Sequence, residues 1–535
     1  MILSEPYLQQ LLKGAIEHVE APPGCAAVIE GSIAEGFGND SSDIDFLLIE
    51  QSDRQYAGTP TVIFVDGRRV EVRLRSTGTI EADRERLLRL GGNGGGRIPE
   101  DLLNRCQRLR NAFPLEGHAL VSEVQEALPD ADLKNLAFKF YAGRCRQAAR
   151  LAVAMTGLGV EESSNWADIA LTFGAKAWAA RLGETYVETK WLSHQLDRIA
   201  SGQDTISRIR RLQRSDPGPA YANAVLELLP ELGVDGCAND PERVSFRRAS
   251  EVTTWPIGER LHVLRSQDVF VLSATAGHVW RHVTFGRPLP QVVANIGGDS
   301  ETNGRILLEF VRLGLVDLQW RTAGKISAAG NATLNPSIQR PLLSMGGAVF
   351  GDEALPIKLI PMPGKRFAAA GMALTWGHVM IENAREDAIG AIAQEQWGLF
   401  EAVMRRMLRR ASLTVLSAYG VEPLPPQEEA CSQLRRLAIE PKLAQSMLDL
   451  DRSLSITSKA KAKAAMGKVN RLVIEVRELT GASGFPSSFA DANGWRETLE
   501  AFYDWVRVGA FLDSAFPLDD LRDVLTSVDQ RQKAS

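Results

Sequence analysis

The stretch "GSIAEGFGNDSSDIDFLLIE" (residues 31–50) decides the fold of the N-terminal part of this 535-residue chain. It joins a glycine-rich turn to two acids, Asp43 and Asp45, inside a run that is typical of a buried strand. Because strand side chains alternate between faces, both carboxylates are expected on one face, with Ile44 and Phe46 on the other. Like charges repel each other there, so the pattern predicts a divalent cation between them.

The neighbouring segments predict a helix and a mixed sheet around this stretch. Residues 4–20 carry apolar side chains at helical spacing, "CAAVIEGS" is a strand candidate, and "TVIFVDGRRVEVRLRS" predicts a hairpin that turns at Asp66-Gly67. Glu71 interrupts an apolar face of that hairpin, so we predict it as the third metal ligand. Gly31 and Ser32 are expected where a strand ends and a helix begins, offering backbone N–H groups and a hydroxyl to a phosphate. Oxygen-only ligands favour Mg²⁺ or Mn²⁺. A nucleoside triphosphate is the ligand expected to bind together with such a metal.

Composition narrows the class of protein. Hydrophobic residues make up 44% and charged residues 24% of the chain, and the net charge is only -5, so nucleic acid is an unlikely partner. The five cysteines form no CxxC pair, which argues against a zinc ribbon or a disulfide framework. No apolar run approaches the roughly 18 residues of a membrane span. We expect a cytoplasmic protein with no membrane partner.

Changes of pattern along the chain predict an α+β protein with several units. We place a catalytic domain at 1–125, a helical nucleotide- or substrate-binding domain at 126–240, a winged helix at 241–325, an irregular connector at 326–375 and a C-terminal helical domain at 376–535. The basic runs at 207–214, 404–410 and 458–468 are interpreted as solvated helix faces, because they carry no aromatic residues for stacking on nucleic acid.

Gly31-Ser32, the later Asp43-x-Asp45 and the strand acid Glu71 together resemble the DNA polymerase β-type nucleotidyltransferase superfamily. "GSIAEGFGNDSSDID" is similar to the form found in aminoglycoside and minimal nucleotidyltransferases. Glu35 stands where that family commonly has Arg. The resemblance implies a polymerase β-like mixed sheet and transfer of a nucleotidyl group through two Mg²⁺ ions held by the three acids, with pyrophosphate leaving.

The same resemblance implies a helical domain that closes over the nucleotide. Lys190, beside Trp191, could then contact the triphosphate, and a solvated helix lysine beside a core tryptophan fits the sequence equally well. A general base stays unassigned, because Glu161, Glu162 and Asp168 have no distinguishing context.

Residues 268–318, with "LSATAGHVW" and a last helix ending in "LGLV", resemble a PqqD-type domain, the winged-helix recognition element of ribosomally made, modified peptides. The resemblance implies that residues 257–320 bind a leader peptide as an added strand. A structural or dimerising role for this unit remains open.

The expected function is Mg²⁺-dependent transfer of a nucleoside monophosphate, preferably AMP from ATP, to a hydroxyl or similar group. The acceptor would be a small molecule or a peptide in a biosynthetic pathway. The alternatives are an antibiotic-modifying or a tRNA- or protein-modifying nucleotidyltransferase and, from another class, a non-catalytic peptide- or partner-binding scaffold that binds nucleotide.

Overall fold

The computed structural model describes most of the chain, and all structural statements below concern these residues. They are 3–39, 42–56, 60–66, 68–92, 98–160, 162–257, 260–265, 268–283, 287–322, 324–326, 343–344, 347–348, 364–421, 424–488, 494–495, 500, 504–505, 507–508 and 511. The chain mixes long helices with small sheets, which confirms the predicted α+β class.

The N-terminal part is a five-stranded mixed sheet in the order β3-β4-β2-β1-β5. β1 is antiparallel to β2, β2 is parallel to β4, and β4 is antiparallel to β3. The elements in chain order are α1 (Glu5–Ile16), β1 (Ala26–Glu30), α2 (Gly31–Ala34), β2 (Ile44–Glu50), β3 (Thr61–Val65), β4 (Arg68–Ser76), α3 (Thr77–Gly92), α4 (Glu100–Arg110), β5 (Phe113–Glu116) and α5 (His118–Glu126).

β2 is buried on both faces, which explains its nearly continuous apolar run. Ile44 and Phe46 pack in a cluster with Leu11 of α1, while Leu47 and Ile49 pack in another cluster on the opposite face. The sheet therefore lies between two layers of helix.

The β3–β4 hairpin confirms the predicted turn, with Asp66 at φ 53°. The predicted strand from Asp43 is one residue too long, because β2 begins at Ile44. Ser42 explains this start, since its hydroxyl accepts a 2.9 Å hydrogen bond from the Asn39 N–H and holds the preceding chain in a turn.

The predicted helical region follows and has a large apolar core. Its elements are α6 (Asp130–Leu158), α7 (Ser163–Arg181), a short 3-10 helix (Thr189–Trp191), α8 (Leu192–Arg198), α9 (Gln203–Gln213) and α10 (Pro219–Leu228). The aliphatic and aromatic residues of α6 and α7 are buried along most of both helices, so these two helices form the centre of this region.

The next region combines two three-stranded sheets with three helices. They are β6 (Val244–Arg248), β7 (Val252–Ile257), β8 (Arg260–Arg265), β9 (Asp268–Val271), α11 (Ala274–His282), α12 (Leu289–Ile296), α13 (Ser300–Arg312), β10 (Val316–Trp320) and β11 (Gly324–Ile326), after a 3-10 turn at Pro241–Arg243. The sheet orders are β7-β8-β9 and β11-β10-β6. Its core is continuous with that of the helical region, so residues 126–325 share one apolar interior.

The C-terminal helices begin earlier than the sequence predicts. Two short strands, β12 (Leu343–Ser344) and β13 (Gly347–Ala348), precede α14 (Gly364–Ala393), α15 (Trp397–Ala418), a 3-10 turn (Gln427–Glu429), α16 (Ala430–Arg436), α17 (Pro441–Ser453) and α18 (Lys459–Leu479). The first C-terminal helix, α14, begins at Gly364, ahead of the boundary expected at 376. Gly371 lies inside α14, where a Cβ would collide with the ring of Trp505.

The C-terminal helices pack directly against the rest of the chain. Phe37, Tyr186 and Trp191 are buried in the same apolar cluster as α14 and α15. Within the described residues, no helix is long and apolar enough to cross a membrane.

Candidate functional site

Three carboxylates lie side by side on the central strands of the N-terminal sheet. Glu30 at the end of β1 is paired with Asp45 of β2, and Asp45 is paired in parallel register with Glu71 of β4. Paired positions on neighbouring strands share a face. The structure therefore brings together the predicted ligands Asp45 and Glu71 and adds Glu30. A signal for Glu30 was present, since an acid ends the apolar run "AAVIE" directly before Gly31.

Arginines neutralise this acidic row. Arg73 donates one hydrogen bond of 3.0 Å to Asp45 Oδ1 and another of 2.9 Å to Glu71 Oε2. Arg108 of α4 lies 2.7 Å from Asp45 Oδ2, and Arg69 donates to Glu71. Buried charges require such partners because removing either one leaves an uncompensated ion. Sequence reasoning missed these arginines, although "RRVEVRLR" places two of them two residues either side of Glu71.

The pKa values of Glu30 and Asp45 are shifted in opposite directions. Burial raises the pKa of Asp45, but the guanidinium groups of Arg108 and Arg73 outweigh burial and hold that pKa below its ordinary value. At Glu30 burial dominates, and the pKa is raised despite the same two arginines. The charges of Arg108 and Arg73 therefore favour the ionised form of Asp45.

Asp43 lies at the mouth of this site. It lines a cavity of about 1070 Å³ that is described below, and 39% of its side chain is accessible. The pKa of Asp43 is raised to about 7, chiefly by burial and also by the nearby charges of Glu71, Asp45 and Asp387, against the opposing effect of Arg69. Arg69 Nη1 lies 3.6 Å from Asp43 Oδ2, at the outer limit of an ion pair. Asp43 thus lacks full charge compensation.

Gly31 is needed for close approach. Its φ is +76°, and a Cβ there would lie 2.5 Å from Asp45 Oδ2 and 2.7 Å from Arg108 Nη2. The carbonyl of Ser32 accepts hydrogen bonds from the N–H groups of Phe37 (2.9 Å) and Gly38 (2.8 Å). The Gly-Ser turn therefore lies beside the acids, and its contact with a phosphate stays a prediction.

Glu35, at the position where the resembled family has Arg, serves a local structural role. Its carboxylate accepts hydrogen bonds from Asn111 (2.9 Å) and Gln107 of α4, and its carbonyl accepts one from Arg198. The cation beside the acidic row comes from Arg108 instead.

Lys190 lies in the 3-10 helix and lines the cavity. Its Nζ donates a 2.8 Å hydrogen bond to Asp387 Oδ2 of α14 and lies 3.4 Å from Glu188 Oε2. Trp191 beside it is buried, as the sequence predicts. The interpretation of Lys190 as a solvated surface lysine is wrong, since 17% of its side chain is exposed and it is ion-paired. Its contact with a triphosphate remains a prediction.

The cavity has a volume of about 1070 Å³ and lies between the N-terminal sheet, the helical region and the C-terminal helices. Its lining includes Asp43, Lys190 and Asp387, with residues of α7, α9, α14 and α15. A cavity of this size is at the upper end of the range of small-molecule binding sites. Completing it is one role of the C-terminal helices.

The candidate bases occupy different places. Asp168 lines the cavity and accepts a 3.1 Å hydrogen bond from Tyr221. Glu162 is 3.2 Å from Arg312, in an ion pair away from the cavity lining. Glu161 lies outside the described residues.

One of the three basic runs is not simply a solvated helix face. Arg210 and Arg214 of the first run line the cavity, and so do all four arginines of the second, at 405, 406, 409 and 410. The sequence interpretation is wrong for the second run, because all four of its arginines are partly buried. Arg211 and Arg214 of the first run are exposed, as predicted. The lysines of the third run at 459, 461 and 463 are exposed, as predicted.

A second candidate site is the β7-β8-β9 sheet. Trp255 and Ile257 of β7 are 56% and 59% exposed, and Val271 of β9 is 51% exposed. β7 and β9 are the two edges of this sheet, so each has unpaired backbone groups beside an apolar side chain.

The donor set fits a hard divalent cation in its chemistry. Asp43, Asp45 and Glu71 offer only carboxylate oxygens, and the incomplete charge compensation of Asp43 is what a cation would relieve. Over the described residues, no group of three acids, histidines or cysteines is already arranged to hold a metal. Arg69 and Arg73 form ion pairs with carboxylate oxygens of Asp45 and Glu71 instead.

Comparisons with known proteins give no further assignment. No family model matches the chain, and no curated protein aligns with it significantly.

Proposed function

We propose that this protein transfers a nucleoside monophosphate from a nucleoside triphosphate to an acceptor bound in the cavity, with Mg²⁺ or Mn²⁺ as the metal. The observation that carries the proposal is the parallel register of Asp45 and Glu71, with Asp43 at the mouth of the same site and open to the cavity. ATP is the expected donor and pyrophosphate the expected product.

Asp43, Asp45 and Glu71 are the residues that would hold the metal. A bound divalent cation supplies neutralisation of the phosphate oxygens and activation of the acceptor hydroxyl. Asp45 contributes a carboxylate that Arg108 and Arg73 keep ionised. Asp43 contributes one whose ionisation falls in the neutral pH range. Gly31 leaves the space in which Asp45 and Arg108 approach the Gly-Ser turn.

Binding and orientation are supported by the other walls. The cavity brings Lys190 and Asp387 to the side of Asp43, so the helical region and α14 both contribute charged groups beside the acids. Closed walls around a polar site strengthen electrostatic interactions, which supply most of the rate in phosphoryl transfer. The acceptor is a small molecule or a peptide with a hydroxyl or similar nucleophile.

Recruitment of a peptide acceptor would use the β7-β8-β9 sheet. An extended peptide can add to an open sheet edge through main-chain hydrogen bonds, and its side chains can contact exposed apolar residues beside that edge. Trp255 and Ile257 supply such residues on β7.

A non-catalytic nucleotide-binding scaffold is the second candidate. Arg73 bridges Asp45 and Glu71, and Arg108 and Arg69 occupy further oxygens of the same two acids. If these ion pairs persist when nucleotide binds, the acids cannot accept a metal.

Pyrophosphate release from each of the four common nucleoside triphosphates, with Mg²⁺ and pooled small-molecule or peptide acceptors, tests the proposal. Release by the wild type should disappear in Asp43→Asn and Asp45→Asn. It should persist in Asp216→Asn, an exposed loop acid. Equal release from all variants would remove the acids from catalysis. Nucleotide binding without release, in every acceptor pool, would favour the scaffold.

A further inference from the structure

The cavity wall formed by α15 carries four arginines that differ in their partners. Arg409 donates hydrogen bonds to both carboxylate oxygens of Asp451 (3.0 and 3.3 Å), and Arg405 donates to the carbonyls of Asp451 (3.2 Å) and Leu454 (3.0 Å). These two arginines therefore fix α15 to the end of α17. The side chains of Arg406 and Arg410 form neither an ion pair nor a hydrogen bond in the described part of the chain.

Arg406 and Arg410 are one helical turn apart and lie on the same face of α15. Between them, Met407 and Leu408 are completely buried in the apolar core, so the helix cannot turn this face away from the cavity. The Nε atom of Arg410 is buried without a hydrogen-bond partner. Burial and the neighbouring Arg406 lower the pKa of Arg410, which means that its charge is poorly compensated.

Acids near the two arginines are already engaged or stand at a distance. Glu188 and Asp387 are ion-paired with Lys190. Glu428 opposes the lowering of the Arg410 pKa, but the described residues show no ion pair between the two. The local excess of positive charge on α15 therefore remains for a ligand to neutralise.

From these contacts we propose that Arg406 and Arg410 form a phosphate-binding wall in the cavity that Asp43 also lines. Two guanidinium groups one turn apart call for at least two negative charges close together. A phosphoryl or polyphosphate group supplies them on oxygens that match the guanidinium fork, whereas a carboxylate supplies one.

This wall deepens the proposed nucleotidyl transfer and rests on it for the identity of the ligand. The phosphoryl groups can belong to the triphosphate of the donor or to a phosphorylated acceptor. Both sources present the same chemistry to α15, and competition between ligands distinguishes them.

Inorganic tripolyphosphate is the probe, with binding to the full chain measured by calorimetry. Arg406→Gln and Arg410→Gln should each weaken its binding by about tenfold or more, the loss of one charge-assisted contact. Arg305→Gln removes the same charge from an exposed ion pair on α13 and should leave binding unchanged. Arg406→Lys should weaken binding less than Arg406→Gln, since it keeps the charge.

α,β-Methylene ATP identifies the source of the phosphate. Displacement of tripolyphosphate by this analogue assigns the wall to the donor, and binding of tripolyphosphate beside a saturating analogue assigns it to the acceptor. If both glutamine variants fold, as judged by circular dichroism, and bind tripolyphosphate as tightly as the wild type, the proposed phosphate-binding wall is wrong. It is also wrong if the wild type fails to bind tripolyphosphate.

The two proposals fail separately. If the wild type releases no pyrophosphate but Arg406→Gln weakens tripolyphosphate binding, nucleotidyl transfer is wrong and the phosphate-binding wall is supported. If pyrophosphate is released but neither glutamine substitution changes tripolyphosphate affinity, nucleotidyl transfer is supported and the phosphate-binding wall is wrong. The Nε atom of Arg410 is buried, so Arg410→Gln could prevent folding. In that case the affinity of Arg406→Gln for tripolyphosphate is the test of the wall.

Discussion

Arg69 of β4 donates a 2.7 Å hydrogen bond to Asn383 of α14. This bond connects the strand that carries Glu71 to the C-terminal helices across most of the chain. Arg69 also contacts Glu71 and lies near Asp43, so the position of α14 is coupled to the acidic row. The C-terminal helices are consequently part of the candidate site.

Replacing Arg73 by Gln tests whether the acidic row can accept a metal. The change leaves Asp45 and Glu71 without their shared cation, so the free energy of unfolding should fall by about 3 kcal/mol. Mg²⁺ or Mn²⁺ should then raise the melting temperature of the variant more than that of the wild type, because a cation can replace the lost guanidinium.

The matched control is Arg75→Gln, two residues further along β4, where the arginine pairs with Asp83 instead. Mg²⁺ or Mn²⁺ should raise the melting temperature of this variant no more than it raises that of the wild type. An equal metal response in both variants would argue against cation binding by the acidic row.

The raised pKa of Asp43 predicts a pH dependence of stability. The carboxyl group holds its proton up to about pH 7 in the folded state but releases it near its ordinary value of 3.8 in the unfolded state. The folded state therefore binds more protons between these values, and its stability should decrease as pH rises through this window. Asp43→Asn should flatten this decrease in urea denaturation curves.

Asp216→Asn, which changes an exposed acid, should leave the pH profile as in the wild type. Metal binding by the wild type should strengthen as pH rises through 7, since the metal requires ionised Asp43. If the stability of Asp43→Asn depends on pH as the stability of the wild type does, the pKa of Asp43 is not raised in the folded state.

Gly31→Ala should be costly for two reasons. The added Cβ would collide with the Asp45–Arg108 ion pair, and alanine is strained at φ +76°. Gly24→Ala separates these effects, because Gly24 has φ +83° with open space around it. We expect a loss of about 1 kcal/mol for Gly24→Ala and at least twice that for Gly31→Ala in urea denaturation. Equal losses would show that the space beside Asp45 is not limiting.

The Lys190–Asp387 ion pair allows a test of the triphosphate contact. Lys190→Ala should weaken binding of α,β-methylene ATP, whereas Asp387→Asn should strengthen it, because the ammonium would then be free of its carboxylate. Lys139→Ala, which removes a lysine bonded to the carbonyl of Gly91, serves as the control. Unchanged nucleotide affinity in both cavity variants would limit Lys190 to holding α14 in place.

Trp255→Ala tests the peptide-recognition hypothesis. Since Trp255 is 56% exposed, its removal should change stability little but should abolish enrichment of peptides from a phage-displayed library. Trp376→Ala, at a tryptophan of α14 that is 50% exposed, is the control. Deletion of the whole region is less informative, because it shares its apolar core with α6 and α7. If Trp255→Ala enriches the same peptides as the wild type, peptides do not bind at the β7 edge of the sheet.

Local sequence was sufficient for the central part of the N-terminal sheet. Alternation around Asp45, the Asp66-Gly67 turn and the single acid of "RRVEVRLR" are short-range patterns, and the structure has the corresponding strands and brings Asp45 beside Glu71. Their roles as metal ligands, with those of Asp43, Gly31, Ser32 and Lys190, remain predictions.

What only the tertiary structure decided is the charge environment of those residues. The ion pairs of Asp45 with Arg73 and Arg108, of Lys190 with Asp387, and the cavity face of Arg406 join segments that are distant in the chain. Hydrophobic periodicity shows that a helix buries one face, but it does not show which charged groups another element will bring to the opposite face. For this reason the sequence alone indicated an acidic nucleotide site, and the folded chain determined how its charges are balanced.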